Sequence, residues 1–156
     1  MESVYIETTV ISYLVSRPSR DILVAAHQQT TYDWWTSRRQ EFECFISQAV
    51  IDEMQVGDNS AAEKRIAEIG DLEVLEATIE AERLTEAIIG SGAIHKRAVR
   101  DAAHIAISAV NEIDYLLTWN CKHLANAQII RRVAVICNSL GYSMPVICTP
   151  EELMGV

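Results

Sequence analysis

Three carboxylates and one amide stand at positions where a parallel sheet would place chemistry. Glu7 directly follows the apolar run 4–6, Glu53 follows the run ending at Ile46 by about two helical turns, and Asn120 follows the run 116–119. Asp101 opens an apolar helical stretch, where an unpaired charge is costly. Ligands of open parallel sheets bind beyond the carboxyl ends of the strands, so these side chains are candidates for one site.

Converging carboxylates need a positive partner. Two of them about 5 Å apart repel by about 3 kcal/mol at an effective dielectric near 20. Protonation or a bound cation relieves that repulsion, and a divalent metal ion is the natural cation. Convergence of Glu7, Glu53 and Asp101 in the fold therefore predicts a metal site.

Each acid taken alone also has a purely structural explanation. Glu7 can cap the helix that follows it, Glu53 can be an ordinary surface acid, and Asp101 can pair with Arg97 or Arg100. The spacing along the chain does not by itself bring the three together, so the elements that carry them must be considered.

Short apolar runs bounded by polar or turn residues predict five strands, and near-continuous apolar strands are typical of a parallel sheet covered on both faces. We predict an α/β fold with a central, mostly parallel sheet in a single domain over residues 1–156. The predicted strands cover 3–6, 43–46, 72–75 (at a sheet edge), 114–118 and 146–148.

Helical periodicity and capping residues predict the intervening segments. We expect Ser19 to cap the helix at 21–39, Ser47 to cap the next one, and Thr149 with Glu152 to form a capping box around Pro150 that begins a last helix. Further helices are predicted at 10–15, 48–57, 60–69, 78–89, 96–113, 123–126 and 128–140.

Charge limits the partners. The net charge of −9 gives no global attraction to polyanions, so contacts with nucleic acid must come from bound cations or a local basic patch. Most such basic clusters are solvated surface, but three are present: Arg38 with Arg39, Lys96 with Arg97 and Arg100, and Arg131 with Arg132.

The cysteines and the apolar runs indicate a compartment. The four cysteines form no C-x-x-C pair and are expected to be reduced thiols, and Cys121 with His123 lacks the second ligand pair of a zinc finger. No signal peptide and no membrane span are expected, so we predict a cytoplasmic protein without membrane partners.

Four stretches together resemble the PIN-domain nucleases, especially the VapC-like toxins of toxin–antitoxin pairs. Each stretch is short, but all four occur in the family's order and at family-like intervals. They are YIETTVIS at 5–12, SQAVIDE at 47–53, RDAAHIA at 100–106 and LLTWNCKHL at 116–124, and with 145–153 they span nearly the whole chain.

The resemblance implies a three-layer α/β/α sandwich with strand order 3-2-1-4-5 and a Mg²⁺- or Mn²⁺-dependent endoribonuclease. Glu7, Glu53, Asp101 and Asn120 match the catalytic positions, and the three acids among them match the metal ligands. At Thr9 and Thr118 the family has hydroxyls near the pocket. RNA as substrate, a small antitoxin as partner and a homodimer are further implications.

Two departures from the family pattern matter. Glu7 stands where Asp is usual, which moves the carboxylate one methylene outward, and Asn120 stands where a fourth acid is usual, which removes a charge. They motivate an alternative, a catalytically silent PIN-fold module that binds a protein or RNA. A phosphatase or nucleotide binder is less well supported, because no Gly-rich phosphate loop follows Ile6.

The remaining candidates have mainly structural explanations. His104 shares a helical face with Asp101, and a buried, hydrogen-bonded histidine is the expected role. Trp34, Trp35 and Trp119 are expected to pack in the core rather than to stack on bases. The segment 21–39 is the place where a second copy or an antitoxin would dock, although burial within the monomer explains its pattern equally well.

Overall fold

Five parallel strands form one sheet in the structure, a computed structural model that describes residues 1–155. The strand order is β3-β2-β1-β4-β5, and every pairing in the described part of the chain is parallel. The expected order and the α/β fold class are confirmed. The strands are β1 Ser3–Ile6, β2 Glu43–Ser47, β3 Glu73–Leu75, β4 Tyr115–Leu117 and β5 Val146–Cys148.

Helices connect the strands, as parallel crossovers require. Two short 3-10 helices, Arg39–Glu41 and Lys96–Ala98, precede β2 and α6. The α-helices are α1 Thr8–Val15, α2 Ile22–Ser37, α3 Gln48–Met54, α4 Asn59–Glu68, α5 Ile79–Gly90, α6 Val99–Val110 and α7 Ala127–Ser139.

The central strand is buried on both sides. Val4, Tyr5 and Ile6 are all 0% exposed, and successive side chains of a strand point to opposite faces. The hydroxyl of Tyr5 contacts His104 of α6, which places α6 on the Tyr5 face. Helices therefore cover both faces, and full burial of apolar side chains of this size contributes about 1.5 to 3 kcal/mol each.

Helix starts follow the capping rules, with one correction. Ser47 accepts a hydrogen bond from the Val50 amide at 3.4 Å, as expected. The cap of α2 is Asp21 and not Ser19, because the Asp21 carboxylate accepts from the Val24 amide at 3.0 Å. The Ser19 hydroxyl accepts from the Asp21 amide instead, so it orders the turn before the helix.

The predicted short helix at 123–126 is absent, and a turn stands in its place. The Asn120 carbonyl accepts from the amides of Leu124 and Ala125, and the Asn120 side chain accepts from those of Lys122 and His123. One asparagine thus satisfies four backbone amides, and the segment needs no helical ladder.

The predicted last helix is also not formed, although its capping contact is. The Glu152 carboxylate accepts from the Thr149 amide at 2.8 Å, as a capping box requires. The Glu152 and Leu153 amides bond three residues back, to Thr149 and Pro150, which closes a turn rather than an α-helix. Within residues 1–155, no helix combines the length and apolar character needed to cross a membrane.

Candidate functional site

Glu7 extends β1 and begins α1. Its amide donates to the Leu117 carbonyl at 3.0 Å, which continues the pairing with β4 by one residue. Its side chain caps α1 by accepting from the Thr9 amide, as the structural alternative for this residue proposed. Because the strand ends here, the carboxylate lies at the carboxyl edge of the sheet, and the side chain is only 2% exposed.

One oxygen of the Glu7 carboxylate is heavily bonded and the other is not. Oε2 accepts from the Thr9 amide at 3.1 Å, from Thr9 Oγ1 at 2.5 Å and from Thr118 Oγ1 at 2.8 Å. Oε1 accepts no hydrogen bond from the described residues. Burial raises the pKa of Glu7, although the charge of His104 and the threonine donors lower it. A buried carboxylate with a free oxygen is suited to a cation.

The two threonine hydroxyls are held by the backbone on the side away from Glu7. Thr9 Oγ1 accepts from the Trp119 amide at 2.9 Å, and Thr118 Oγ1 accepts from the Asn120 amide at 2.9 Å. Each hydroxyl therefore has its hydrogen available for Glu7. The structure places Thr9 and Thr118 beside the acidic site, where they fix the orientation of the Glu7 carboxylate.

His104 joins the sheet to Glu53 through a chain of short hydrogen bonds. Its Nε2 donates to Glu53 Oε1 at 2.6 Å, and its Nδ1 lies 2.6 Å from the Tyr5 hydroxyl. The Tyr5 hydroxyl in turn lies 2.6 Å from Ser47 Oγ. All the polar atoms of this fully buried imidazole are thus satisfied, as expected for His104, and the ring holds Glu53 in place.

The surrounding acids favour the charged form of His104. Burial, the largest single influence, lowers its pKa, but the bond to Glu53 and the charges of Glu7, Glu53 and Asp101 together raise it. Burial also raises the pKa of Tyr5, so that side chain remains a neutral phenol. A neutral phenol can accept from the imidazolium and donate to Ser47, so both ring nitrogens of His104 have a partner.

The fold brings two of the three predicted acids together. Glu7, Glu53 and His104 each place a potential ligand atom within 4.8 Å of the others. This set has the chemistry of a divalent cation site, because Glu7 Oε1 and Glu53 Oε2 accept no hydrogen bonds from the described residues and are hard oxygen donors. Both His104 nitrogens are occupied, so the carboxylates would hold the ion and His104 would orient one of them.

Asp101 lies beside this cluster with partners of its own. Its Oδ1 accepts from Asn120 Nδ2 at 3.2 Å and its Oδ2 accepts from His123 Nδ1 at 3.0 Å. The alternative pairing with Arg97 or Arg100 is not formed. The charge of Asp101 still raises the pKa of His104, so the carboxylate is close enough to share the field of the cluster.

Asn120 is committed to orienting its neighbours. Its Oδ1 accepts from the Lys122 and His123 amides at 3.2 and 3.0 Å, and its Nδ2 donates to Asp101. The two backbone donors fix which end of the amide is oxygen. Both polar ends are therefore used, and the side chain positions Asp101 as a neutral donor where a fourth acid would repel it.

Sequence reasoning assigned His104 a structural role and gave no site role to His123. For His104 the available signal was its spacing of three from Asp101, which puts both on one face of α6. For His123 there was none, because its contact with Asp101 depends on the turn that Asn120 builds. The tryptophans pack as expected: Trp34 is 0% exposed, and Trp35 and Trp119 are each 8% exposed.

The comparisons with known proteins bear on the fold. No protein-family profile matches the chain, and no curated protein matches it in sequence. Among solved structures, the chain is similar to one in the crystal structure of VapBC2 from Rickettsia felis bound to a DNA fragment from their promoter, with a TM-score of 0.62 and 12% identity. The match covers 94% of this chain and 97% of that chain. The expected PIN-like α/β fold is thereby confirmed.

Proposed function

We propose that this protein is a metal-dependent endoribonuclease that hydrolyses phosphodiester bonds of RNA. The observation that carries the proposal is the pairing of Glu7 and Glu53 around His104 at the carboxyl edge of a PIN-like sheet. Two carboxylates with one free oxygen each suit Mg²⁺ or Mn²⁺, which prefer oxygen ligands and retain several waters.

The proposal gives each polar residue of the site a role. Glu7 and Glu53, later joined by Asp101, would hold the ion, and a metal bound there would lower the pKa of a water and offset charge on the leaving oxygen. Thr9 and Thr118 keep Glu7 Oε2 turned toward the backbone, which leaves Oε1 for the ion.

Asn120 and His123 hold Asp101 from the other side. Release of one of these hydrogen bonds would make an Asp101 oxygen available. We therefore expect Glu7 and Glu53 to anchor the ion and Asp101 to join when the substrate phosphate arrives.

Metal binding and cleavage test this function together. Mn²⁺ and Mg²⁺ are titrated into the protein while the melting temperature is followed, and a panel of structured RNAs is then assayed for cleavage. Binding that stabilises the fold, with cleavage that EDTA abolishes, is the expected result. Absence of both effects would reject the function.

Charge-removing variants locate the chemistry. Glu7→Gln and Glu53→Gln are expected to reduce metal affinity by about tenfold or more, since each removes an anionic ligand. Asp101→Asn is expected to reduce cleavage more than metal affinity. Glu112→Gln removes a comparable carboxylate outside the described site and is the matched control.

The partner follows from the same resemblance. The VapBC2 structure contains a complex bound to promoter DNA, and we propose that this chain likewise pairs with a small antitoxin. Co-expression with the product of a neighbouring small reading frame tests this, and the expected readout is a stable complex in which cleavage is suppressed. A homodimer is the expected state of the free protein, measurable by light scattering.

One observation favours a second candidate, a silent module that binds without cleaving. Asp101 already receives hydrogen bonds from Asn120 and His123, and the surrounding acids raise the pKa of His104, which favours a positive charge among them without any metal. In that case Asp101→Asn would leave stability unchanged or higher, and Mn²⁺ would not raise the melting temperature. The titration above distinguishes the two.

A further inference from the structure

A cavity of about 450 Å³ is lined in part by Asp101. Basic or ionisable side chains make up most of its wall. They come from the 3-10 helix before α6 with its cap His95, from the first turn of α6, and from the turn after β4. The lining residues are His95, Arg97, Ala98, Asp101, Lys122 and His123.

The cations of this cavity are not neutralised by the protein. Neither Arg97 nor Lys122 forms an ion pair with another described residue, and both are exposed. The one acid in the wall, Asp101, already receives hydrogen bonds at both oxygens from Asn120 and His123. In a chain of net charge −9, this cavity thus brings together two cations without ion-pair partners and a single acid.

The histidines add directed donors. His95 Nδ1 accepts from the Arg97 amide at 3.1 Å, so the proton of a neutral His95 resides on Nε2. His123 donates from Nδ1 to Asp101, and that bond couples the cavity wall to the acidic cluster. Arg97 supplies a planar fork that matches phosphate oxygens, and Lys122 supplies a compact charge.

We propose that this cavity, the basic pocket, binds a phosphate of the RNA strand next to the bond that is cut. The proposal rests on the proposed function and deepens it by naming where the strand lies. Asp101 lines the basic pocket and lies beside the acidic cluster, so a strand with one phosphate at the acids would bring a neighbouring phosphate to Arg97 and Lys122. The basic pocket would attract the RNA phosphate locally, although the net negative charge of the protein gives no overall attraction to RNA.

The test measures binding separately from cleavage. A fluorescent, hydrolysis-resistant phosphorothioate RNA hexamer is titrated in Mg²⁺ buffer at several salt concentrations, and its anisotropy gives the affinity. Arg97→Ala with Lys122→Ala is compared with wild type. The matched control is Arg20→Ala with Arg83→Ala, which removes the same charge from exposed positions outside the pocket.

Two results are expected. The pocket variant binds the hexamer about tenfold more weakly at about 50 mM salt, and its slope of log affinity against log salt is shallower by about 0.7 for each lost phosphate contact. The control variant keeps the wild-type slope. Because the substituted side chains are exposed, both variants are expected to melt within a few degrees of wild type.

Three results would overturn the proposal. The first is an unchanged salt slope in the pocket variant, and the second is an equal loss of hexamer affinity in the control variant. The third is displacement of the hexamer by hexaglutamate at lower concentration than by unlabelled RNA, which would make the pocket a peptide site.

Failure of this proposal and failure of the proposed function give different results. Absence of cleavage with an intact slope effect rejects only the nuclease, whereas cleavage with an unchanged KM and slope in the pocket variant rejects only the pocket.

Discussion

Glu53 on α3 and His104 on α6 meet with 2.6 Å between Oε1 and Nε2, although 51 positions separate them in the chain. The imidazole is fully buried and is braced from behind by the Tyr5 hydroxyl on the central strand. The position of Glu53 therefore depends on the sheet as well as on its own helix. A substitution of His104 or Tyr5 is therefore expected to affect both the stability of the fold and the acidic site.

His104→Ala is expected to destabilise the protein by about 3 kcal/mol, since it opens a cavity, leaves Glu53 Oε1 without its partner and removes one of the two partners of the Tyr5 hydroxyl. Urea unfolding measures this loss. Tyr5→Phe, which removes only the hydroxyl, is expected to cost about 1 kcal/mol or slightly more. Tyr32→Phe, which removes a hydroxyl at an exposed position, is the control and is expected to change stability by less than about 1 kcal/mol. Equal stability of His104→Ala and wild type would contradict the bracing role.

The pH dependence of the metal-free protein has a defined sign. The pKa values of Glu7 and His104 are both raised above their ordinary values of 4.5 and 6.5. The folded state then binds more protons than the unfolded state above those values, so stability falls as pH rises through them. In EDTA, the melting temperature is expected to be lower at about pH 8 than at about pH 6.

Metal and mutation should each flatten that profile. Mn²⁺ favours the ionised carboxylates, so stability gained on adding it is expected to grow with pH. Glu7→Gln removes one raised carboxyl and one of the charges that hold up the pKa of His104, so its EDTA profile is expected to be flatter than that of wild type. A melting temperature that rises from pH 6 to pH 8 in EDTA would contradict the assigned directions.

Thr118→Val keeps the shape of the side chain and removes the hydroxyl that links Glu7 to the Asn120 amide. We expect a loss of about 2 kcal/mol, because a buried amide and a buried carboxylate each lose a partner. Metal affinity is also expected to fall, since the pKa of Glu7 rises further without this donor. Thr118→Ser retains the hydroxyl and is the control, and calorimetric metal titration with urea unfolding measures both effects.

Asn120→Asp restores the acid usual in the resembling family and tests whether the amide serves to hold Asp101. In EDTA, a second carboxylate near Asp101 Oδ1 is expected to destabilise the protein by roughly 2 kcal/mol. With Mn²⁺ the variant is expected to recover that loss and to bind the ion more tightly than wild type. Asn126→Asp, in the same segment but at a helix cap, is the control. Unchanged metal affinity in Asn120→Asp would exclude this position from the metal site.

The thiols are expected to react in order of exposure. Cys121 is exposed, whereas burial raises the pKa of Cys44 to about 11 and that of Cys148 to about 12. Near pH 8 these two are almost entirely protonated thiols, so Cys121 is expected to be alkylated first by iodoacetamide. Peptide mass spectrometry over time measures the order, and Cys121→Ser is expected to abolish the fast phase. Early modification of Cys148 would contradict its burial.

The sequence by itself determined the elements and their order. Apolar runs, the cap at Ser47 and the strand at 72–75 are local patterns, because periodicity and capping depend on residues within a few positions of one another. The family resemblance added the strand order. Local patterns gave wrong predictions where a turn can replace a short helix. The turns at 123–126 and 150–153 satisfy their backbone amides without a helix.

Only the tertiary structure decided which side chains meet. Glu7 was expected either to cap a helix or to serve a cation site, and the fold gives it the cap through one oxygen and leaves the other free. His104 bonds to both Tyr5 and Glu53, and Asp101 bonds to both Asn120 and His123. These pairs of hydrogen bonds follow from strand register and helix packing. Contacts between residues tens of positions apart leave no local pattern, because each depends on the placement of the whole sheet.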